Sequence, residues 1–125
     1  MKYIHTGLVT SSEKKADRFY TDILGLIKSE PKIIDKKLIQ AIFGIDCELL
    51  MIHYQNETVD YEVFVQHGYC APKKQLAHTC IKVSDLAGII KKCRNRGLKI
   101  VQIPKGTGML TFISDYDGNL FEIKE

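Results

Sequence analysis

Apolar residues recur along this chain with two periods, and the order in which the periods alternate predicts its elements. Ile4 to Thr10 alternates loosely and is rich in strand formers, which predicts a strand. Ser11 and Ser12, with Glu13 close behind, mark a helix start. Ala16, Phe19, Tyr20, Ile23 and Leu24 then fall at helical spacing across Glu13 to Leu24, and Gly25 stops the run. Leu26 to Glu30 predicts a strand ended by Pro31. Residues 32–48 carry a weaker signal: Leu38 to Ile45 has strand composition, with Lys36-Lys37 in a turn before it. Leu49 to Tyr54 and Tyr61 to Gln66 predict two more strands around the turn-like Asn56-Glu57-Thr58.

After a linker at 67–76 the same order returns. Ala77 to Val83 predicts a strand. Ser84-Asp85 caps a helix that runs to about Asn95 and ends at Gly97. Lys99 to Ile103 predicts a strand stopped by Pro104, Met109 to Ser114 another, and Leu120 to Lys124 the last, after a turn at Asp115 to Asn119 with Asp-Gly at its centre.

The two halves align residue by residue. At an offset of 73, His5-Thr6 falls on His78-Thr79, Ser11 on Ser84, and Pro31-Lys32 on Pro104-Lys105. The offset then falls to 60, so the first half carries 13 extra residues within 33–48, and Leu50 to Glu62 lies on Leu110 to Glu122 without a gap. The expected fold is α+β: one domain over residues 1–125, built from two tandem βαβββ modules at 1–66 and 77–125.

Composition narrows the class. The chain has 125 residues, 45% hydrophobic and 26% charged, which suits a packed globular domain. A net charge of +3 with dispersed Lys and Arg gives no basic patch for nucleic acid, only a mild attraction for small anions. No long apolar stretch follows Lys2 and no run approaches the roughly 18 residues of a membrane span, so a soluble cytoplasmic protein is expected. Cys47, Cys70, Cys80 and Cys93 lack C-x-x-C spacing and read as reduced thiols, with Cys80 and Cys93 as small buried residues.

The repeat also carries the candidate chemistry. Side chains alternate between the faces of a strand, so His5 lies opposite Ile4, Thr6 and Leu8, and His78 opposite Ala77, Thr79, Ile81 and Val83. Glu62 lies opposite Tyr61, Val63 and Val65, and Glu122 opposite Phe121 and Ile123. Each of these strands has an apolar face and puts one ligand-type residue on the other. Sheltered carboxylates need partners, and two imidazoles with two carboxylates suit a divalent metal such as Ni, Zn, Co, Mn or Fe. The absence of thiolates points away from structural zinc. His53 and Glu48 lie near the third strand without counterparts, since Ile113 matches His53, and His67 lies in the linker.

Several segments resemble the vicinal oxygen chelate superfamily, which includes glyoxalase I and the bleomycin-resistance proteins. They are Ile4-His5-Thr6, the Phe19-Tyr20 to Leu24-Gly25 run of the first helix, His78 with its strand, and the D-x-D-G-x-x-x-E ending at Asp115 to Glu122. The resemblance covers nearly the whole chain except 33–48 and the linker. It implies a cupped, mixed, mostly antiparallel sheet around a metal, a homodimer, and ligands at His5, Glu62, His78 and Glu122. A competing alignment would use Glu48 in place of Glu62. The two-Glu set looks like glyoxalase I, which implies a lyase or isomerase that stabilises an enediolate, with Glu62 or Glu122 as base and a thiol–2-oxoaldehyde hemithioacetal as substrate. Another metal-dependent member (an epimerase or a fosfomycin-type thiol transferase) and a non-catalytic antibiotic-binding protein are the alternatives. Arg18, Lys14 and Lys105 are possible cations for the carboxylates of a glutathione adduct.

Overall fold

In the computed structural model, which describes residues 1–125, the chain divides into two units, Met1–Tyr69 and Cys70–Glu125. Each is a small sheet with helical cover.

The first unit opens with β1 (Thr6–Thr10). Ser12 caps α1 (Glu13–Ala16) by accepting from Lys15 N at 3.2 Å, and the helix widens into a π-helical turn over Asp17–Thr21. The wider turn keeps Ala16, Phe19, Tyr20 and Ile23 together on the buried side. Gly25, at φ +73°, ends the segment in the left-handed region where a side chain would be strained.

The strand expected over Leu26 to Glu30 is short: β2 covers Ile27–Lys28, and β3 covers Lys32–Ile34. The strand expected over Leu38 to Ile45 is instead a helix, α2 (Lys36–Phe43). Lys36 and Lys37 are its first turn rather than a loop. Asp35 accepts from Leu38 N at 3.1 Å as N-cap, and Gly44 at φ +71° closes the other end. Leu38, Ile39, Ile42 and Phe43 fit a helical stripe as well as a strand, and in so short an apolar run the caps decide. This helix lies within the extra stretch of the first half.

β4 (Leu49–Gln55) and β5 (Asp60–Val65) complete the sheet, in the order β1-β5-β4-β2, with β3 also paired to β4. β1 runs parallel to β5, and the remaining pairs are antiparallel. Tyr54 and Tyr61 face each other across β4 and β5 and are buried under Tyr20, with ring centroids 5.1 and 5.7 Å from it. The Tyr54 hydroxyl donates to Asp17 Oδ1 at 2.7 Å. Lys28 Nζ reaches the same carboxylate at 3.0 Å and Glu13 Oε1 at 2.6 Å.

The second unit repeats the plan. β6 (Thr79–Lys82) leads to α3 (Leu86–Asn95), capped by Asp85, which accepts from Gly88 N at 2.8 Å. β7 (Ile100–Lys105), β8 (Gly108–Ser114) and β9 (Leu120–Lys124) follow, in the order β6-β9-β8-β7, with β6 parallel to β9. Pro104 does not stop β7. The strand lies at the sheet edge, where a residue without N–H is tolerated, and continues to Lys105. Ile89, Cys93, Ile113, Phe121 and Ile123 form the buried side.

The ladders repeat between units. Thr6 pairs with Tyr61 and Gly7 with Glu62, while Thr79 pairs with Phe121 and Cys80 with Glu122. Both offsets read from the sequence hold here. The match is not gapless, however. Glu62 faces His53 and Glu122 faces Phe112, so β4 and β8 correspond at an offset of 59. The turns account for the difference. Asn56 N bonds Val59 O at 3.0 Å in the first unit, whereas Asp115 N bonds Asn119 O at 3.0 Å in the second, one residue further along. Asp115 holds its longer turn by accepting from Asp117 N and Asn119 N, both at 2.9 Å, and from Asn119 Nδ2 at 2.6 Å.

Candidate metal centre

Strand alternation sets the chemistry of each sheet. Tyr61 and Val63 of β5 turn into the core, which sends Glu62 to the other face; Phe121 and Ile123 of β9 do the same for Glu122. The two carboxylate side chains are only 20% and 14% exposed, sheltered enough to need a cationic partner. The histidines stand one residue ahead of their strands, His5 before β1 and His78 before β6. Ile4 and Ala77, expected on apolar faces, are exposed there because the strands have not yet begun.

Each unit brings one predicted pair together. His5 Nε2 lies 3.6 Å from Glu62 Oε2, and His78 Nε2 lies 3.7 Å from Glu122 Oε2. Glu48 is exposed just before β4, and His67 is exposed in the turn after β5.

The donors fit a divalent cation by tautomer and by spacing. His78 Nδ1 stands 2.8 Å from the carbonyl oxygen of Leu76. A carbonyl only accepts, so Nδ1 carries a proton and Nε2 is the nitrogen on the side of Glu122. The distances of 3.6 and 3.7 Å are too long for hydrogen bonds. Two donors each about 2.1 Å from one cation stand roughly 3–3.5 Å apart. In the side-chain positions seen, the donors stand in pairs, and no group of three or more His, Cys, Asp or Glu is arranged to hold an ion.

The sequence set aside His53 and misplaced Cys80, both neighbours of these pairs. His53 Nε2 also lies 3.6 Å from Glu62 Oε2, and its Nδ1 lies 2.7 Å from Asp60 Oδ1. The gapless match hid His53 by aligning it with buried Ile113; its true counterpart is Phe112, whose ring packs 5.5 Å from His78 as His53 packs 6.1 Å from His5. Cys80, expected to be buried, is exposed on the same face as Glu122, since the two are ladder partners. Its thiol donates to Glu122. That hydrogen bond, with Lys124 Nζ at 3.4 Å, holds the Glu122 carboxyl below the usual range, while desolvation and the neighbouring Glu122 push the Cys80 thiol up.

A cavity of about 740 Å³ opens on this face of the second sheet. Its floor includes His78, Val101 and Phe112, and Lys73, Arg96 and Lys99 add positive charge to its lining. The segment at 70–76 walls it in, pinned by Ala71 N to Asp117 O at 2.8 Å and Gln75 Nε2 to Gly118 O at 2.7 Å. The volume suits a small molecule. Arg18, Lys14 and Lys105 do not line it.

No helix is long and apolar enough to cross a membrane. Comparison with known proteins gives a consistent picture of ancestry. A glyoxalase family protein from Enterococcus faecalis superposes with a TM-score of 0.72 at 17% identity, covering 99% of this chain and 97% of that one. The fosfomycin resistance protein FosX from Mesorhizobium loti gives a TM-score of 0.70 at 12% identity, covering 98% and 90%. A mutant FosX from Listeria monocytogenes, complexed with Mn(II) and 1S,2S-dihydroxypropylphosphonic acid, gives 0.73 at 12% identity, covering 98% and 88%. At such identities the likeness establishes the fold. No curated protein matches the chain. The model of the Glyoxalase/Bleomycin resistance protein/Dioxygenase superfamily matches residues 2–123, and the chain belongs to that superfamily.

Proposed function

We propose that this chain is a metal-dependent lyase or isomerase of the glyoxalase type, with His5, Glu62, His78 and Glu122 as donors to a divalent ion. The observation that carries this reading is the repetition of one His–Glu pair at equivalent ladder positions, with Nε2 to Oε2 distances of 3.6 and 3.7 Å. FosX, a member of the same fold, is described with Mn(II), which supports a divalent ion in general.

When bound, such an ion would polarise two adjacent substrate oxygens and offset the charge that develops on them. The chain's own residues do the rest. Glu62 or Glu122 accepts the proton from the carbon bearing the hydroxyl and the thiol sulfur. The C–H electron pair moves toward the neighbouring carbonyl, giving an enediolate. Return of the proton to that neighbouring carbon, with the hydroxyl proton of the first carbon passing to the oxygen of the second, leaves a 2-hydroxy thioester. His78, fixed by Leu76, keeps its Nε2 oriented throughout. Lys73, Arg96 and Lys99 suit the anionic end of a small substrate.

Lys73, Arg96 and Lys99, set against Asp115 and Asp117 in the same lining, also suit a second reading, a fosfomycin-type resistance enzyme acting on a phosphonate. Metal analysis of the purified protein, alongside His5→Ala and Glu62→Ala, tests the common premise. Bound metal in the parent and its loss in both variants are expected. Lactoylglutathione formation from the methylglyoxal–glutathione hemithioacetal then tests the first reading, and loss of the fosfomycin ³¹P signal the second. A protein that binds none of Ni, Zn, Co, Mn or Fe(II) overturns both.

A further inference from the structure

The two units are not equivalent in one respect that bears on metal binding. In the first, Asp60 and His53 face the candidate site; at the corresponding positions of the second stand Leu120 and Phe112. Both members of a polar pair are thus exchanged together for apolar residues, which marks them as a working pair.

The Asp60 carboxylate lies 2.7 Å from His53 Nδ1. An ionised carboxylate only accepts, so Nδ1 carries a proton and Nε2 is the nitrogen left to meet a metal. His53 Nε2 lies 3.6 Å from Glu62 Oε2, the same oxygen and the same distance as His5 Nε2. The His5 and His53 rings meet nearly edge to face, 80° apart. Two imidazole nitrogens therefore converge on one carboxylate oxygen with no hydrogen bond joining them. A cation among them would be met by all three atoms, with each contact closing by roughly half an ångström to reach normal ligand spacing.

We propose that His53 is a further metal donor, held by Asp60, so that the first unit presents two imidazoles and a carboxylate to an ion. This rests on the metal-binding reading above and adds to it a donor that the repeat does not supply. A carboxylate behind a ligating histidine fixes its tautomer and raises its basicity, and removing such a partner typically lowers metal affinity about 10- to 100-fold.

The test is Co(II) binding by the full chain, followed by visible absorption and by the hyperfine-shifted, exchangeable imidazole N–H resonances in proton NMR. The variants are His53→Phe, which installs the second unit's own residue, Asp60→Asn, and His5→Ala as reference. We expect His53→Phe to weaken binding at least about tenfold, to shift the absorption bands and to remove one shifted N–H resonance, with Asp60→Asn weakening binding in the same direction. Circular dichroism checks that each variant folds. If His5→Ala loses Co(II) while His53→Phe and Asp60→Asn bind it with unchanged affinity and spectra, the inference fails and the four-donor reading stands. If the parent binds no Co(II), both fail.

Discussion

Replacing Tyr54 by Phe tests whether the buried network of the first unit has the chemistry its geometry implies. Tyr54 stacks on Tyr20 at 5.1 Å and donates to Asp17 Oδ1 at 2.7 Å. Phenylalanine keeps the ring and loses only the hydroxyl. A hydrogen bond to a charged acceptor contributes about 1.5–3 kcal/mol. Asp17 keeps Lys28 at 3.0 Å, and its side chain is 39% exposed, so water can replace the lost donor. The low end follows: a loss of about 1–1.5 kcal/mol at pH 8.

The pH dependence is the sharper part. Burial first, and then the Asp17 carboxylate, push the Tyr54 hydroxyl well above the ordinary tyrosine range. For an acid raised in the folded state, the native advantage is complete below the unfolded pKa of about 10 and is lost as pH rises above it. One such group costs about 1.4 kcal/mol per pH unit above that value. At pH 11 the parent should therefore have lost about 1.4 kcal/mol that Tyr54→Phe has not, and the difference between the two proteins should shrink nearly to zero. Tyr61, also raised by burial, is common to both and cancels. Urea unfolding followed by circular dichroism at pH 8 and pH 11 measures this. A difference that stays constant with pH would refute the reasoning, because the hydroxyl would then ionise alike in both states.

Other consequences can be checked singly. Gly88→Ala should leave thermal unfolding nearly unchanged rather than gain the roughly 1 kcal/mol that Ala offers a helix, because its Cβ displaces the Asp85 carboxylate that caps α3 at a similar cost. Gly25→Ala should cost about 1–2 kcal/mol from backbone strain alone, since open space surrounds the position but φ is +73°. Iodoacetamide should alkylate Cys80 faster in Glu122→Gln than in the parent at pH 8, because the neighbouring carboxylate that disfavours the thiolate is gone; an equal rate, read by peptide mass spectrometry, would show that Glu122 does not act on the thiol.

Much of this arrangement was legible in the sequence because it repeats. His5 and His78, Glu62 and Glu122 share positions in parallel β1–β5 and β6–β9 ladders, and the offsets of 73 and 60 follow directly from residue order. The failures have local physical causes. Leu38 to Phe43 satisfied a strand composition until Asp35 and Gly44 were seen to cap it. Pro104 reads as a stop unless the strand is known to be an edge. His53 was lost to a single extra residue in the Asp115–Asn119 turn, a shift that flips an aligned strand from one face to the other. Cys80 looked like core because its neighbours are apolar, yet its ladder partner is Glu122.

That one-residue difference also explains how the halves diverged without losing the fold. Buried positions remain bulky and apolar-bodied in both copies, Tyr54 with Tyr61 in one and Ile113 with Phe121 in the other, because a change of period there would expose the whole strand. The opposite face bears no such constraint. There Gly7 became the counterpart of Cys80, His53 of Phe112, and Asp60 of Leu120, around a histidine and a glutamate that did not change. Selection for packing accounts for the first set of residues. It does not account for the second, since His–Glu pairs whose imidazoles are 40% and 37% exposed add little to stability on their own. The metal-binding proposal accounts for the repeated pairs, and the His53 proposal for the exchange beside one of them.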